Sequence, residues 1–222
     1  MLSTNVLSAD ERARASRFVF ERDRIRYVAA RSFLRHIVAA CIGGDPVDLS
    51  FSYGPHGRPR LSASHGLVPD FNLSHTGDLA MLAVSWAAPV GVDVEAVRPT
   101  PDMPGLASQV MHPAELLAFG RLPRSEQTEA FFTLWTRKEA LLKAMGVGLS
   151  TDPRSIHVGW SASDLHREFL VDGRVCEIRN LAGPPGFAAA LCAPKGVALA
   201  RRALPDALRG RPVPSCHSAG HH

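Results

Sequence analysis

The segment Trp135-Thr136-Arg137-Lys138-Glu139-Ala140-Leu141-Leu142-Lys143 puts an acid and a base at helical spacing. Glu139 and Lys143 stand four apart, so on a helix they stack on one face. Trp135 and Leu142, seven apart, share a face too. One reading is a surface ion pair worth about 0.3–0.5 kcal/mol. The apolar flank Phe131, Phe132, Leu134, Leu141 and Leu142 argues instead for a central helix, where a charged pair needs a reason. A second cluster is Gly91-Val92-Asp93-Val94-Glu95. On a strand, Asp93 and Glu95 project from one face while Val92 and Val94 face the core. Two carboxylates on one face repel unless something positive sits there, and hard oxygen ligands suit Mg²⁺. The alternative is a solvated face of an edge strand. The third cluster, Asn72-Leu73-Ser74-His75-Thr76-Gly77, crowds polar side chains at a strand end before a glycine turn. Ser74 and His75 would point to opposite faces, and no G-x-S-x-G elbow exists in the chain, so a hydrolase triad is excluded. A histidine and hydroxyls beside a turn suit a phosphate instead.

These clusters need elements to hold them. Ser8, Asp10 and Glu11 read as a helix start. Apolar spacing predicts a long helix from about Asp23 to Cys41, ended by Gly43-Gly44-Asp45-Pro46. Val47 to Tyr53 reads as a strand before the turn Gly54-Pro55-His56-Gly57, and Phe71 to His75 as a short strand. Leu79 to Trp86 and Val90 to Glu95 read as a hairpin around Ala87-Ala88-Pro89. Pro99, Pro101, Pro104 and Gly105 form the best linker. Beyond it, His112-Pro113-Ala114-Glu115 starts a short helix. A long helix spans Glu126 to Met145, stopped by Gly146. Strands are expected at Ser155 to Trp160, Glu168 to Val171, Val175 to Asn180 and Phe187 to Ala193. Each half reads helices first, then strands, which argues an α+β fold in two similar halves, 1–102 and 103–202. Residues 203–222 read as a flexible tail.

Composition narrows the class. The chain has 222 residues, a net charge of +4, 45% hydrophobic and 21% charged residues, which excludes a disordered tail protein, a collagen-like fibre and a coiled coil. No run of about 18 apolar residues exists, and the first twenty residues lack the apolar stretch of a secretory signal, so a cytoplasmic protein is expected. Only Lys138, Lys143 and Lys195 are lysines among 25 Lys and Arg side chains, and two of the three fall in one segment. The cysteines show neither a C-x-x-C pair nor a zinc pattern, and Cys41, Cys176 and Cys192 are expected as buried or partly buried thiols. Cys216, beside His217, His221 and His222, could belong to a metal site, a frayed tail or a tag remnant. An arginine-rich opening, Arg12 to Arg35, raises a nucleic-acid module as a competing class. Acidic Glu21 and Asp23 interrupt that run, and no RNA- or DNA-binding motif appears, so no nucleic-acid partner is expected. Another Mg²⁺-dependent phosphate-processing enzyme, such as a nucleotide hydrolase, is the competing reading of the carboxylates.

Taken in order, the clusters resemble the Sfp-type 4′-phosphopantetheinyl transferases, whose pattern is F-N-x-S-H-S/T, G-x-D-x-E, W-x-x-K-E-A-x-x-K and G-x-G. Here they read Phe71 to Thr76, Gly91 to Glu95, Trp135 to Lys143 and Gly146-Val147-Gly148. The resemblance covers roughly residues 8 to 195. It implies a pseudo-dimer of two similar α+β halves, each with a small antiparallel sheet packed by a long helix. It also implies transfer of the phosphopantetheine arm of coenzyme A to a serine of an apo acyl, polyketide or peptidyl carrier protein. Adenosine 3′,5′-bisphosphate would leave. By the same resemblance Asp93, Glu95 and Glu139 hold Mg²⁺, with Mn²⁺ as an alternative. Lys143 lies by the attacked phosphate and His75 binds the pyrophosphate with Ser74 beside it. On chemical grounds Glu139, or a metal-bound water that it orients, is the base for the serine proton. The family's G-K-P turn corresponds to Gly57-Arg58-Pro59 near the nucleotide, with Arg in place of Lys. Arg14, with Arg12 as second candidate, corresponds to a holder of the 3′-phosphate near Arg17-Phe18. A pseudo-dimeric chain of this kind is expected to work as a monomer, without a membrane.

Overall fold

The computed structural model describes residues 4–54, 57–66, 68–86, 88–161 and 167–202. The expected tail at 203–222 lies outside them, with Cys216 and its histidines. The fold is α+β with small antiparallel sheets, as expected. Helices α1 (Ala9–Ala15) and α2 (Glu21–Ile42) come first, then the ribbon β1 (Phe51–Tyr53) and β2 (Pro59–Leu61). Strands β3 (Asp70–Thr76) and β4 (Leu79–Ser85) pair as a hairpin, followed by β5 (Gly91–Ala96). Then come α3 (Met103–Val110), α4 (Pro113–Phe119) and α5 (Arg124–Met145). Strands β6 (Glu168–Val171), β7 (Arg174–Asn180) and β8 (Phe187–Pro194) complete an antiparallel sheet of order β5-β8-β7-β6. Among the described residues no helix is long and apolar enough to cross a membrane.

Two compact units emerge, but not at the expected boundary. One holds α1, α2, β1 and β2; the other holds Arg58 and Asp70–Val197. The reason is backbone pairing: β5 runs antiparallel to β8 from Gly91↔Cys192 to Ala96↔Phe187. That ladder joins strands from both sides of residue 102 into one sheet, so β5 cannot belong to a separate N-terminal half. Nor do β4 and β5 form the expected hairpin, because β4 pairs with β3 instead. The expected linker is partly helical. Asp102 accepts from Gly105 N at 3.0 Å and caps α3, and Pro104 tolerates the first helical turn.

In the first unit, the buried carboxylate of Glu11 ties α1 to α2. It accepts from Arg31 Nε at 2.7 Å, Arg35 Nε at 2.6 Å and Ser8 N at 3.0 Å. Burial pushes this carboxyl up, but the Arg31 charge and the hydrogen bonds outweigh burial and hold it below its ordinary value. The expected strand from Val47 begins only at Phe51, because Asp45 turns the chain by accepting from Val47 N at 3.0 Å.

In the second unit, α5 is the central helix its apolar flank predicts. Phe131, Phe132, Leu134 and Leu141 are buried in one core with Met103 and Ala107 of α3, Phe119 of α4 and Ile178 and Ala190 of the sheet. Gly146, in the left-handed conformation at φ 70°, ends the helix. The expected strand at Ser155–Trp160 does not form. Its backbone is committed elsewhere: Val158 N and Gly159 N donate to Glu115 Oε1 at 2.7 and 2.8 Å, and Ile156 O accepts from Lys138 Nζ. Cys176 and Cys192 are buried free thiols, as expected. Cys41 is also buried, as expected.

Candidate active site

Strand β5 lies at the edge of its sheet, and its outer N–H groups need acceptors. Alternate side chains of β3 supply them. Val90 N donates to Asp70 Oδ2 and Val92 N to Asn72 Oδ1, both at 2.8 Å, and Val94 N to Ser74 Oγ at 3.4 Å. Side chains at period two thus stand in for a backbone ladder and lock β3 beside β5. The sequence carries the signal as three short polar acceptors, Asp70-x-Asn72-x-Ser74, yet Asp70 was not expected to matter and Asn72 only as part of a motif.

Helix α5 covers the same face of β5 that bears Asp93 and Glu95. A Cβ at Gly91 would stand 2.0 Å from Ala140 O and 2.4 Å from Ala144 N, so only glycine permits this approach. The solvated-face alternative is therefore excluded for Asp93, which is 2% exposed, while Val92 and Val94 are buried on the opposite face as expected.

The close packing brings five expected residues together. Asp93 Oδ1 accepts from Lys143 Nζ at 2.5 Å and Ser74 Oγ at 2.8 Å, and Lys143 Nζ also donates to Ser74 Oγ at 3.2 Å. Asp93 Oδ2 is buried without a hydrogen-bond partner. Glu95 and Glu139 share this neighbourhood. Burial pushes the Glu139 carboxyl above its ordinary value; Lys143 opposes the shift, and Asp93 and Glu95 add to it. Burial likewise raises Glu95, and Asp93 raises it further, against a Thr76 hydrogen bond, Lys143 and Arg98. Three carboxylates therefore share one ammonium in a partly dry pocket. Among the described residues no three His, Cys, Asp or Glu side chains close into a metal-holding group, since Lys143 stands at Asp93. The buried oxygen without a donor and the surplus negative charge nevertheless fit a divalent cation.

The remaining expected residues are spread more widely. His75 follows Ser74 on β3 and is exposed. Gly57 has φ +74°, and Pro59 begins β2. Arg58 turns its guanidinium onto Lys143 O, Asp70 and Val90 O, contacts that the sequence did not suggest. Arg14 lies in the other unit, exposed, with its guanidinium over the Tyr27 ring at 5.6 Å; Arg12 donates to Leu7 O. Lys138, by contrast with Lys143, is fully buried against Glu115 at 2.8 Å.

Two family models match the chain in succession. The one described as "4′-phosphopantetheinyl transferase, N-terminal" covers residues 1–87, and the "4′-phosphopantetheinyl transferase superfamily" covers residues 89–192. The chain is 42% identical over 147 residues to the 4′-phosphopantetheinyl transferase HetI of Nostoc sp., across 65% of this chain and 61% of that protein. The matched segment thus spans about three fifths of HetI's own length. A 4′-phosphopantetheinyl transferase of Bacillus subtilis is 31% identical over 191 residues, covering 84% of this chain and 82% of the relative. The transferase Sfp of Bacillus subtilis strain 168 is 27% identical over 195 residues, with the same coverage.

Proposed function

The chain belongs to the 4′-phosphopantetheinyl transferase superfamily, and on that footing we propose that it moves the phosphopantetheine arm of coenzyme A onto a serine of an apo carrier protein. The observation that carries this reading is the pocket in which Asp93, Glu95 and Glu139 share Lys143. The attacking serine oxygen forms a bond to the phosphorus bearing the pantetheine arm. The bridging P–O bond breaks, and adenosine 3′,5′-bisphosphate leaves. Such a displacement needs charge neutralisation and in-line placement more than covalent help. A net charge of +4 also suits an acidic carrier surface.

Each residue then has a task. Lys143 neutralises charge growing on the leaving phosphate. Ser74 orients Asp93 through its 2.8 Å hydrogen bond, and exposed His75 on β3 binds the pyrophosphate. Glu139 takes the serine proton; burial raises its carboxyl, which makes it a better proton acceptor once ionised. Asp93, Glu95 and Glu139 would hold Mg²⁺, or Mn²⁺, which when bound supplies positive charge to the pyrophosphate. Exposed Arg14 is assigned to the 3′-phosphate, since Arg12 is already engaged by a backbone carbonyl. The Gly57-Arg58-Pro59 turn borders the nucleotide. The chain works as a monomer in the cytoplasm, where coenzyme A is available.

The test is mass spectrometry of apo acyl, polyketide and peptidyl carriers after incubation with the protein, coenzyme A and Mg²⁺. The expected product is a carrier heavier by one phosphopantetheine on its serine, absent in EDTA. Unchanged carriers throughout the panel would overturn the reading, and full transfer in EDTA would overturn the metal assignment.

A further inference from the structure

Arg58 is the middle residue of the turn Gly57-Arg58-Pro59, and its guanidinium does not stand open to solvent. Its side chain is 10% exposed. Nη1 donates to Lys143 O and lies 3.3 Å from Ala144 O, the carbonyls of the last turn of α5. Nη2 donates to Asp70 Oδ2 at 2.6 Å and to Val90 O at 2.9 Å, and lies 3.3 Å from Phe71 O. Asp70 Oδ2 in turn accepts from Val90 N at 2.8 Å. Arg58 and Asp70 therefore bracket both backbone groups of Val90, the residue before β5 begins.

One planar group thus joins the three elements that bear the site: β3 with Ser74, β5 with Asp93 and α5 with Lys143. It bonds the backbone of Lys143 itself and grips Val90, which leads into β5 three residues before Asp93. We propose that Arg58 is a positioning residue that sets Lys143 Nζ against Asp93, and that its guanidinium is not a ligand of the nucleotide phosphates. The inference rests on the transferase reading above. It also explains why arginine stands here. A fork with donors on two terminal nitrogens can span a helix end and a strand at once, whereas a lysine ammonium is a single point.

The experiment compares wild type with Arg58→Met and Arg58→Lys in full-length protein, reading carrier modification and amide hydrogen exchange over residues 142–147. A clamp predicts that Arg58→Met lowers kcat by about tenfold or more while KM for coenzyme A changes less than about twofold. Arg58→Lys should recover only part of kcat. Exchange in the last turn of α5 should speed up in Arg58→Met, with circular dichroism unchanged. A rise in KM with kcat kept, full rescue by lysine, or unchanged exchange would each overturn the clamp. Exchange does not depend on activity. Wild-type protein that leaves every carrier unmodified, with exchange still faster in Arg58→Met, would remove the transferase reading and the catalytic purpose of the clamp, while the contact itself stands. Should Arg58→Met fail to fold, Asp70→Asn, which removes the anionic partner on β3 and keeps the arginine, replaces it with the same expected split.

Discussion

Helix α5 carries two lysines with opposite surroundings. Lys138 is wholly buried, and its ammonium donates to Glu115 Oε2 at 2.8 Å, Pro153 O at 2.7 Å and Ile156 O at 2.5 Å. Glu115 also accepts from Val158 N, Gly159 N and His112 N. Every donor of the ammonium and both carboxylate oxygens are engaged, and one positive charge meets one negative. Burial lowers the Lys138 amine against the pull of Glu115, so the pair holds the fold and has no capacity left for a ligand. Lys143, one and a half turns on, is 26% exposed on its side chain and faces three carboxylates, one with a buried oxygen that has no donor. The first pair is closed; the second cluster is short of positive charge. A pair of ions in a protein is thus read by what its remaining lone pairs and donors do, since attraction alone looks the same in both.

The contrast can be broken most severely at the closed pair. Glu115→Gln should cost about 3–5 kcal/mol of stability, because Lys138 stays buried without a countercharge. Urea unfolding checks this, and a loss below about 1 kcal/mol would put the pair in the surface class. At the open cluster the corresponding change falls on rate. Lys143→Ala should lower turnover by about 10²–10³-fold, or about 2.7–4 kcal/mol of transition-state stabilisation. The fall should be larger in kcat than in KM for coenzyme A, with Lys143→Arg restoring part. Steady-state kinetics with circular dichroism separates this from misfolding.

Added Mg²⁺ sharpens the difference. It should raise the unfolding midpoint of the wild type by a gain of about 1–2 kcal/mol at roughly ten- to thirtyfold its dissociation constant. Glu95→Gln should weaken that gain, whereas Glu115→Gln should leave it intact on its lower baseline. Equal response in all three proteins would disconnect the cation from the open cluster. The smallest effect is expected from acid on Glu11, a carboxylate closed like Glu115 but paired with two arginines. Its folded carboxyl lies below the unfolded value, so its contribution is present above the unfolded value near 4.5 and is lost as pH falls through the folded one. Stability against pH should therefore fall less steeply below pH 4.5 in Glu11→Gln than in the wild type; parallel curves would remove Glu11 from this class.

How much of this was written in the chain depends on the range of the interaction that decides it. Local patterns were legible. The apolar stripe and Gly43 delimit α2, Gly146 stops α5, and the alternation of Val92 and Val94 with Asp93 and Glu95 sorts β5 into two faces. Each depends on residues a few positions apart, so periodicity and cap chemistry suffice. Spacing also put Glu139 and Lys143 on one helical face. What spacing could not supply was the partner of each group. Nothing near Lys138 in sequence announces Glu115, and the same segment offers both lysines to either fate. The strand expected at Ser155–Trp160 was lost because its backbone serves that distant pair. The division of the chain turned on β5 choosing β8, a partner about a hundred residues away, over neighbouring β4. Nor does anything near Arg58 in sequence announce that its guanidinium meets the last turn of α5. These outcomes belong to the tertiary structure, because buried charge and open backbone groups are satisfied by whatever the fold brings within about 3 Å, irrespective of distance along the chain.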